Sequence, residues 1–542
     1  MFRNSQTLIY ALILFVFIGC NDNKQSVDSI IIANRIYTSN TTFEIAESMA
    51  ITNGGIIAIG TKEEITAKYK SNSVKTFEGF LYPGFIDAHS HFHGYGITLN
   101  KVDLRNTFSM QEVVDKVVAF GKEYPENWIT GRGWDQTDWT VKSNPNNVML
   151  NAFFPNRPVL IRRIDGHAGI ANAKALELAG ITTNTKVIGG TIEVVGGRLT
   201  GLLTDNALDL VKKVIPPPSL AANISALKKA EKNCLDAGLT TVTDAGLDLE
   251  TILLIDSLQK LGELKIRVYA MANPSKENFD YFTENGRIST PLLQVSAFKL
   301  YADGALGSRG AKLKAPYCDD EDNTGVWVTN PQIIDSMCDV LNTINFQVAT
   351  HCIGDSANRK VLEIYSKYLN KDDDKRWRIE HAQVVTPADR PLYQNSNIIP
   401  SVQPTHATSD MPWVQDRLCA NRVDGAYAYK SLLGLNGWLP LGTDFPVEEI
   451  YPLHTFYSAV YRQNTDQKPL GGFLPKEALS PKEAIHGMTI WAAKANFMEH
   501  NIGSLETGKY ADFVVLDTDI LYEKYMLKTE VLETYIAGNK VN

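Results

Sequence analysis

Pro83-Gly84-Phe85-Ile86-Asp87-Ala88-His89-Ser90-His91 is an apolar run that ends in two histidines two residues apart. In an extended strand, side chains at i and i+2 leave the same face, so both imidazoles can reach one metal ion. Neutral imidazole suits zinc and its neighbours in the transition series. A His-x-His pair alone could equally be exposed loop residues, so its meaning depends on what the rest of the chain supplies.

Outward from this run, short β-like stretches alternate with helical patterns, the βαβ rhythm of a parallel sheet. Candidate strands are Phe85 to His89, Thr240 to Ala245, Ile266 to Met271, Ala297 to Tyr301, Gln347 to Cys352, Arg378 to Ala382, Ile399 to Val402 and Leu439 to Thr443. Eight such strands predict an α/β fold, a (β/α)8 TIM barrel. Helix starts are marked by Ser480-Pro481-Lys482-Glu483, a capping box with Pro at the first helical position, by Ser109 with Glu112, and by Thr386-Pro387 with Asp389.

His351, His381 and Asp444 fall at or just beyond the ends of later strands. Active sites of such barrels are built at that face, so these residues should converge with His89 and His91. Lys299 lies inside the apolar run Ala297-Phe298-Lys299-Leu300-Tyr301, where an unpaired lysine is rare. Either it forms a salt bridge, for instance with Asp303, or its amine combines with carbon dioxide to give an anionic carbamate able to bridge two metal ions.

The gap between the first two strands exceeds one crossover helix and predicts an inserted subdomain at about 94–230. Ile30-Ile31-Ile32 and Met49 to Gly60, broken by Asn53-Gly54, read as strands with a tight hairpin turn. Ala511 to Leu516 and Val531 to Ile536, followed by Gly538-Asn539, repeat that character at the other end. Residues 28–82 and 500–542 are therefore expected to form a small β-sandwich, with the barrel occupying 83–499.

The chain has 542 residues, 44% hydrophobic and 21% charged, with a formal net charge of -8. Acidic and basic residues are interspersed without a basic run, which excludes a nucleic-acid partner. Residues 1–19 read as a cleaved signal: Arg3 is followed by the apolar run Leu8 to Gly19, too short to span a bilayer. Phe17-Ile18-Gly19-Cys20 resembles a bacterial lipobox, implying export, lipid attachment at Cys20 and anchoring to a bacterial membrane facing the periplasm or cell surface. The other cysteines, Cys234, Cys318, Cys338, Cys352 and Cys419, show no C-x-x-C pair and no legible disulfide framework. Their odd number leaves a free thiol unless a homodimer pairs it.

His89-Ser90-His91, Lys299, His351, His381 and Asp444, in that order, resemble the metal set of the amidohydrolase superfamily with a carboxylated lysine. The likeness is nearest its YtcJ-like branch, amidohydrolase family 3. Supporting phrases are Trp128-Ile129-Thr130-Gly131-Arg132-Gly133-Trp134-Asp135, Asp165-Gly166-His167-Ala168, His351-Cys352-Ile353-Gly354-Asp355, Arg378-Ile379-Glu380-His381-Ala382-Gln383 and Gly503 to Asp512. Tyr510 and Asp205 depart from the family's usual residues. The resemblance implies two divalent ions, zinc by preference: His89 and His91 hold the first, His351 and His381 the second, and carboxylated Lys299 bridges them. Metal binding would bring the pKa of water from about 15.7 to about 7. Asp444 would ligate the first ion and carry the proton to a leaving nitrogen.

The implied reaction is hydrolysis of a carbon-nitrogen bond other than a peptide bond in a small-molecule substrate: an amide, N-acyl compound, formamide or cyclic amide. Trp134, Asp135 and His167 in the insertion, and Arg309, Gln403 and His406 on the rim, are candidates for substrate contacts. Trp128 and Trp139 read instead as the insertion's own core. Three other readings stay open: a mononuclear deaminase, which needs no lysine at position 299; an ester or lactone hydrolase; and a non-catalytic binding lipoprotein.

Overall fold

The computed structural model describes residues 24–542 apart from 125, 143, 165–166, 396 and 523–525. The signal and Cys20 lie outside the described residues, as do two residues of the Asp165-Gly166-His167-Ala168 phrase. Seven strands pair in parallel as a nearly closed barrel: Phe85–Ser90, Leu239–Leu247, Arg267–Ala272, Leu293–Tyr301, Gln347–Cys352, Arg378–His381 and Ile399–Ser401. Their residues are almost all buried, as expected of strands covered by helices outside and side-chain layers inside.

The eighth expected strand does not form as a regular ladder. Leu439 to Thr443 makes one parallel bridge, Val402 to Leu441, while Ala88 N donates to Leu441 O and Gly442 N to Val402 O. It fills the eighth position between the first and seventh strands without strand geometry. Pro440 has no N–H to give, and a Cβ at Gly442 would lie 2.5 Å from the backbone nitrogen of His89, so backbone and backbone meet where a pleat would stand.

Between the first two barrel strands runs a second sheet of six strands, from Gly190–Val195 at one edge to Val102–Asp103 at the other. Strand alternation sets its two faces. Val159 and Ile161 pack with Val113, Val117, Trp134 and Trp139, while Leu160 packs with Trp128, Leu176 and Leu208. A seven-stranded sheet joins the two ends of the chain: Phe513–Leu516 lies antiparallel to Val74–Pro83. Phe513 and Val515 face the sheet's own core with Ile36 and Met49, and Val514 and Leu516 face the barrel's. Arg267, at the start of the third barrel strand, grips Asp512 through two hydrogen bonds of 2.6 and 3.0 Å, both side chains buried. Asn53 and Gly54 both take positive φ, as the two-residue hairpin requires.

Ser480 and Glu483 form the expected capping box, and Ser109 caps its helix through the Glu112 N–H. Thr386 does not start a helix: its hydroxyl and carbonyl engage Asp389 in a turn, and the helix begins at Pro391. The pairing that the sequence leaves open is between Cys318 and Cys419, 101 residues apart and joined by a disulfide. Cys234, Cys338 and Cys352 are free and buried. Among the described residues no helix is long and apolar enough to cross a membrane.

Candidate metal centre

The C-terminal ends of the barrel strands bring together the residues that the sequence singles out. His89 is the last residue but one of the first strand, Lys299 lies two residues from the end of the fourth, His351 is the last but one of the fifth and His381 closes the sixth. Asp444 follows the eighth segment, its N–H donated to His89 O at 2.7 Å. His381, Ala382 and Asp444 all have positive φ, at 71°, 41° and 63°. A non-glycine residue held there costs about 1–3 kcal/mol, and such strain clusters where a site requires a particular side-chain direction.

Four imidazoles and one carboxylate face one another. His91 Nε2 stands 3.2 Å and His89 Nε2 3.6 Å from Asp444 Oδ1. His381 packs 4.5 Å from His351 and 4.8 Å from His89, measured between ring centres. Lys299 Nζ is 3.2 Å from His89 Nε2 and 5.3 Å from the centre of the Tyr301 ring. The ion pair with Asp303 does not form, because that carboxylate accepts the backbone N–H groups of Lys312, Ile353 and Gly354 at 2.7, 3.0 and 2.8 Å. His406, beyond the seventh strand, adds Nε2 3.6 Å from Asp444 Oδ2 and 4.0 Å from Glu448 Oε1.

Two of the histidines are held from behind. His89 Nδ1 lies 2.5 Å from Glu380 Oε2, and Glu380 is paired in turn with Arg378 Nε at 2.6 Å. Arg378 also donates to Ala88 O, Ser401 Oγ and Asn496 Oδ1. His381 Nδ1 lies 2.7 Å from Gln403 Oε1. A proton on each Nδ1 leaves Nε2 with its lone pair aimed inward, the arrangement that fixes a metal-binding tautomer. Asp87 performs the same service for the backbone, accepting from His89 N at 3.0 Å and from the Thr443 hydroxyl at 2.6 Å.

The electrostatics favour ligation. Burial, reinforced by Lys299, lowers His89 to about 4 and His351 to about 3, and burial drives His381 well below the ordinary histidine value. All three rings are therefore neutral near pH 7. Burial opposes ionisation of Asp444, yet His91, His89, His381 and His406 around it hold it well below the usual carboxylate range. Burial likewise lowers Lys299, to about 8. Two buried ring nitrogens, His351 Nε2 and His406 Nε2, lack a hydrogen-bond partner among the described residues. Such atoms are costly unless something else satisfies them, and together with neutral imidazoles they fit a divalent metal. His89, His91 and Asp444 place ligand atoms close enough for one ion, as do His381, His406 and Asp444.

The other rim candidates are placed differently. Trp134 is buried in the insertion's core, its ring N–H donated to Ile161 O at 3.2 Å. Asp135 is paired with Arg163 at 2.8 Å, and His167 is exposed beside Asp205 at 2.9 Å. Arg309 grips Asp319 with two hydrogen bonds of 3.0 and 2.8 Å. Arg417 reaches the same Asp319, so with the Cys318–Cys419 disulfide the loop after the fourth strand is clasped to the segment after the seventh. Gln403 is a support of His381. The sequence reading assigns Glu380 and Arg378 no role; two opposite charges in a strand with both faces covered are the signal that marks them.

A parallel barrel carrying histidines and a carboxylate at its C-terminal rim defines the class of metal-dependent hydrolases. Over residues 78–541 the chain matches the model of the amidohydrolase family, and it belongs to that family. It is 33% identical to Protein LONG AFTER FAR-RED 3 of Arabidopsis thaliana, over 95% of this chain and 91% of that protein. It is 32% identical to Bacillus subtilis YtcJ, named as an amidohydrolase, over 89% and 93%. An N-substituted formamide deformylase of Arthrobacter pascens is 24% identical over 95% and 98%. A solved structure of an uncharacterized metal-dependent hydrolase from Pyrococcus horikoshii superposes with a TM-score of 0.77 at 28% identity, covering 92% of this chain and 99% of that one.

Proposed function

We propose that the protein hydrolyses a carbon-nitrogen bond other than a peptide bond in a small molecule such as an N-substituted formamide, an N-acyl compound or a cyclic amide. The observation that carries this reading is the convergence of inward-facing imidazoles on Asp444, with His351 Nε2 buried and without a hydrogen-bond partner among the described residues. Membership of the amidohydrolase family and likeness to a formamide deformylase support the bond class.

Two divalent ions, zinc by the chemistry of the donors, would be held by His89, His91 and Asp444 on one side and His351 and His381 on the other. Lys299 would bridge them as its carbamate: the neutral amine joins carbon dioxide and releases one proton. When bound, the metals supply an acidified water and a Lewis acid for the scissile carbonyl. Asp444, kept ionised by its histidine neighbours, takes the proton from the attacking water and delivers it to the leaving nitrogen. Glu380 and Gln403 hold the His89 and His381 rings in place throughout. We also propose export and a lipid anchor at Cys20, and the Cys318–Cys419 disulfide supports an oxidising compartment.

The test is metal analysis of the purified chain together with turnover of N-substituted formamides, N-acyl amino acids, cyclic amides and simple esters. Amide turnover that rises with metal content is expected. Turnover confined to esters, or hydrolysis undiminished after complete metal removal, overturns the reading.

A further inference from the structure

Beside the histidine cluster, at the ends of the second, third and fourth barrel strands, lies a corner the mechanism does not use. Gly246 ends the second strand region with φ at 118°, a conformation open to glycine but strained for any other residue. A Cβ at Gly246 would lie 2.9 Å from the Tyr301 hydroxyl, 3.0 Å from Asn273 Oδ1 and 3.8 Å from Lys299 Cγ. Three side chains thus converge over one bare Cα. Tyr301 follows Lys299 by two residues and so shares its inward face, with its ring 6.1 Å from that of His351.

Among the described residues neither the Tyr301 hydroxyl nor the Asn273 side-chain amide has a hydrogen-bond partner, and both residues are only half-buried. Asn273 is held by its backbone alone: its N–H donates to Leu247 O, and its carbonyl accepts from Asn278 Nδ2. Two polar side chains are therefore positioned by the rigid barrel but unspent. The carboxylates of Asp244 and Asp444 face Tyr301, as does Lys299 Nζ at 5.3 Å from its ring centre. Asp244 is buried beneath, accepting the His93 N–H at 2.8 Å.

We propose that Tyr301 and Asn273, over Gly246, form a specificity subsite that receives a neutral group of the substrate able both to accept and to donate a hydrogen bond, a carboxamide or hydroxyl, a few bonds from the scissile carbonyl. The phenolic O–H can donate and Asn273 Oδ1 accepts, so the pair suits a group that carries both an acceptor oxygen and a hydrogen to give. A carboxylate has no hydrogen to give and would set its oxygen against Asn273 Oδ1. This rests on the amide-hydrolase reading above, under which Lys299 is an anionic carbamate rather than a cation.

The test uses the metal-loaded full chain and three probes of similar size: N-acetylglycinamide, N-acetylglycine and N-propylacetamide. Equilibrium binding is followed by ligand-observed NMR and hydrolysis is followed separately. Wild type should bind the glycinamide about tenfold more tightly than either other probe. Tyr301→Phe should erase that preference and, where the probe is hydrolysed, raise KM with kcat unchanged. Gly246→Ala, which puts a methyl where the groups meet, should do the same if it folds; Tyr301→Phe keeps the test decisive if it does not. Equal binding of the three probes by wild type, no binding of any, or a preference untouched in Tyr301→Phe overturns the subsite. A preference for the glycinamide without cleavage of any amide leaves the subsite standing and counts against the amide-hydrolase reading instead.

Discussion

Glu380 Oε2 lies 2.5 Å from His89 Nδ1, with both side chains fully buried. Burial opposes the charge on Glu380, but Arg378 and His89 together lower it to about 2, so it is ionised at any working pH. This carboxylate sets which nitrogen of His89 carries the proton. Glu380→Gln should weaken metal binding by about 10- to 100-fold. It should also lower stability, by up to about 3–5 kcal/mol, because Arg378 is left buried without its counter-charge. Competition with a chelator of known affinity separates the two effects. A lowered melting temperature with unchanged metal affinity would make Glu380 a fold residue only.

His351 gives a pH prediction for the metal-free protein. Its folded pKa is about 3, against about 6.5 in an unfolded chain. Between those values the unfolded state binds the extra proton, so the stability contributed by this site is complete above about pH 6.5 and is lost as pH falls towards 3. His351→Phe removes the proton site while keeping a ring. From about pH 7 to about pH 4.5 its melting temperature should fall less than that of wild type. Equal falls in both proteins would refute the assignment.

Metal removal should abolish activity and spare the fold. The main hydrophobic core takes in buried residues from Tyr37 to Ile536, unlike that of a small zinc module that unfolds when stripped. Far-ultraviolet circular dichroism of the chelated protein at room temperature should stay native. Cooperative loss of signal on chelation is the outcome that counts against this.

Cys20→Ala should release the protein from the membrane fraction. The apolar run before Cys20 is too short to span a bilayer, and stable anchoring takes two acyl signals, which a diacylglyceryl cysteine provides. Wild-type protein that fractionates as soluble and carries no lipid mass would remove the basis for the anchor.

Much of the barrel is legible in the sequence because strands covered on both faces are near-continuous apolar runs, and seven of the eight expected pair as written. The eighth misleads because Leu439, Leu441 and the following threonine have strand character while Pro440 and Gly442 remove the ladder. His89, His91, His351, His381 and Asp444 are legible because each ends such a run. What lies behind them is not: the contacts of Glu380 with His89 and of Gln403 with His381 span 291 and 22 residues, and only the closed sheet brings them together. Arg309 and Asp135 look free in sequence, yet Asp319 and Arg163 occupy them. The Cys318–Cys419 pairing spans 101 residues between two loops and has no local signature.

The central claim is that Lys299 works as a carbamate between two metal ions, and burial that lowers its amine to about 8 makes the neutral form accessible. Lys299→Ala and Lys299→Arg should both lose turnover and bound metal, since neither side chain can be carboxylated at that position. The most direct measurement is 13C NMR of active enzyme loaded with metal in 13C-labelled bicarbonate, with metal content determined on the same sample. The account predicts one carbamate resonance and two metal ions per chain, with the resonance absent in Lys299→Ala. Fully active, metal-loaded enzyme with an unmodified Lys299 and no carbamate resonance would contradict it.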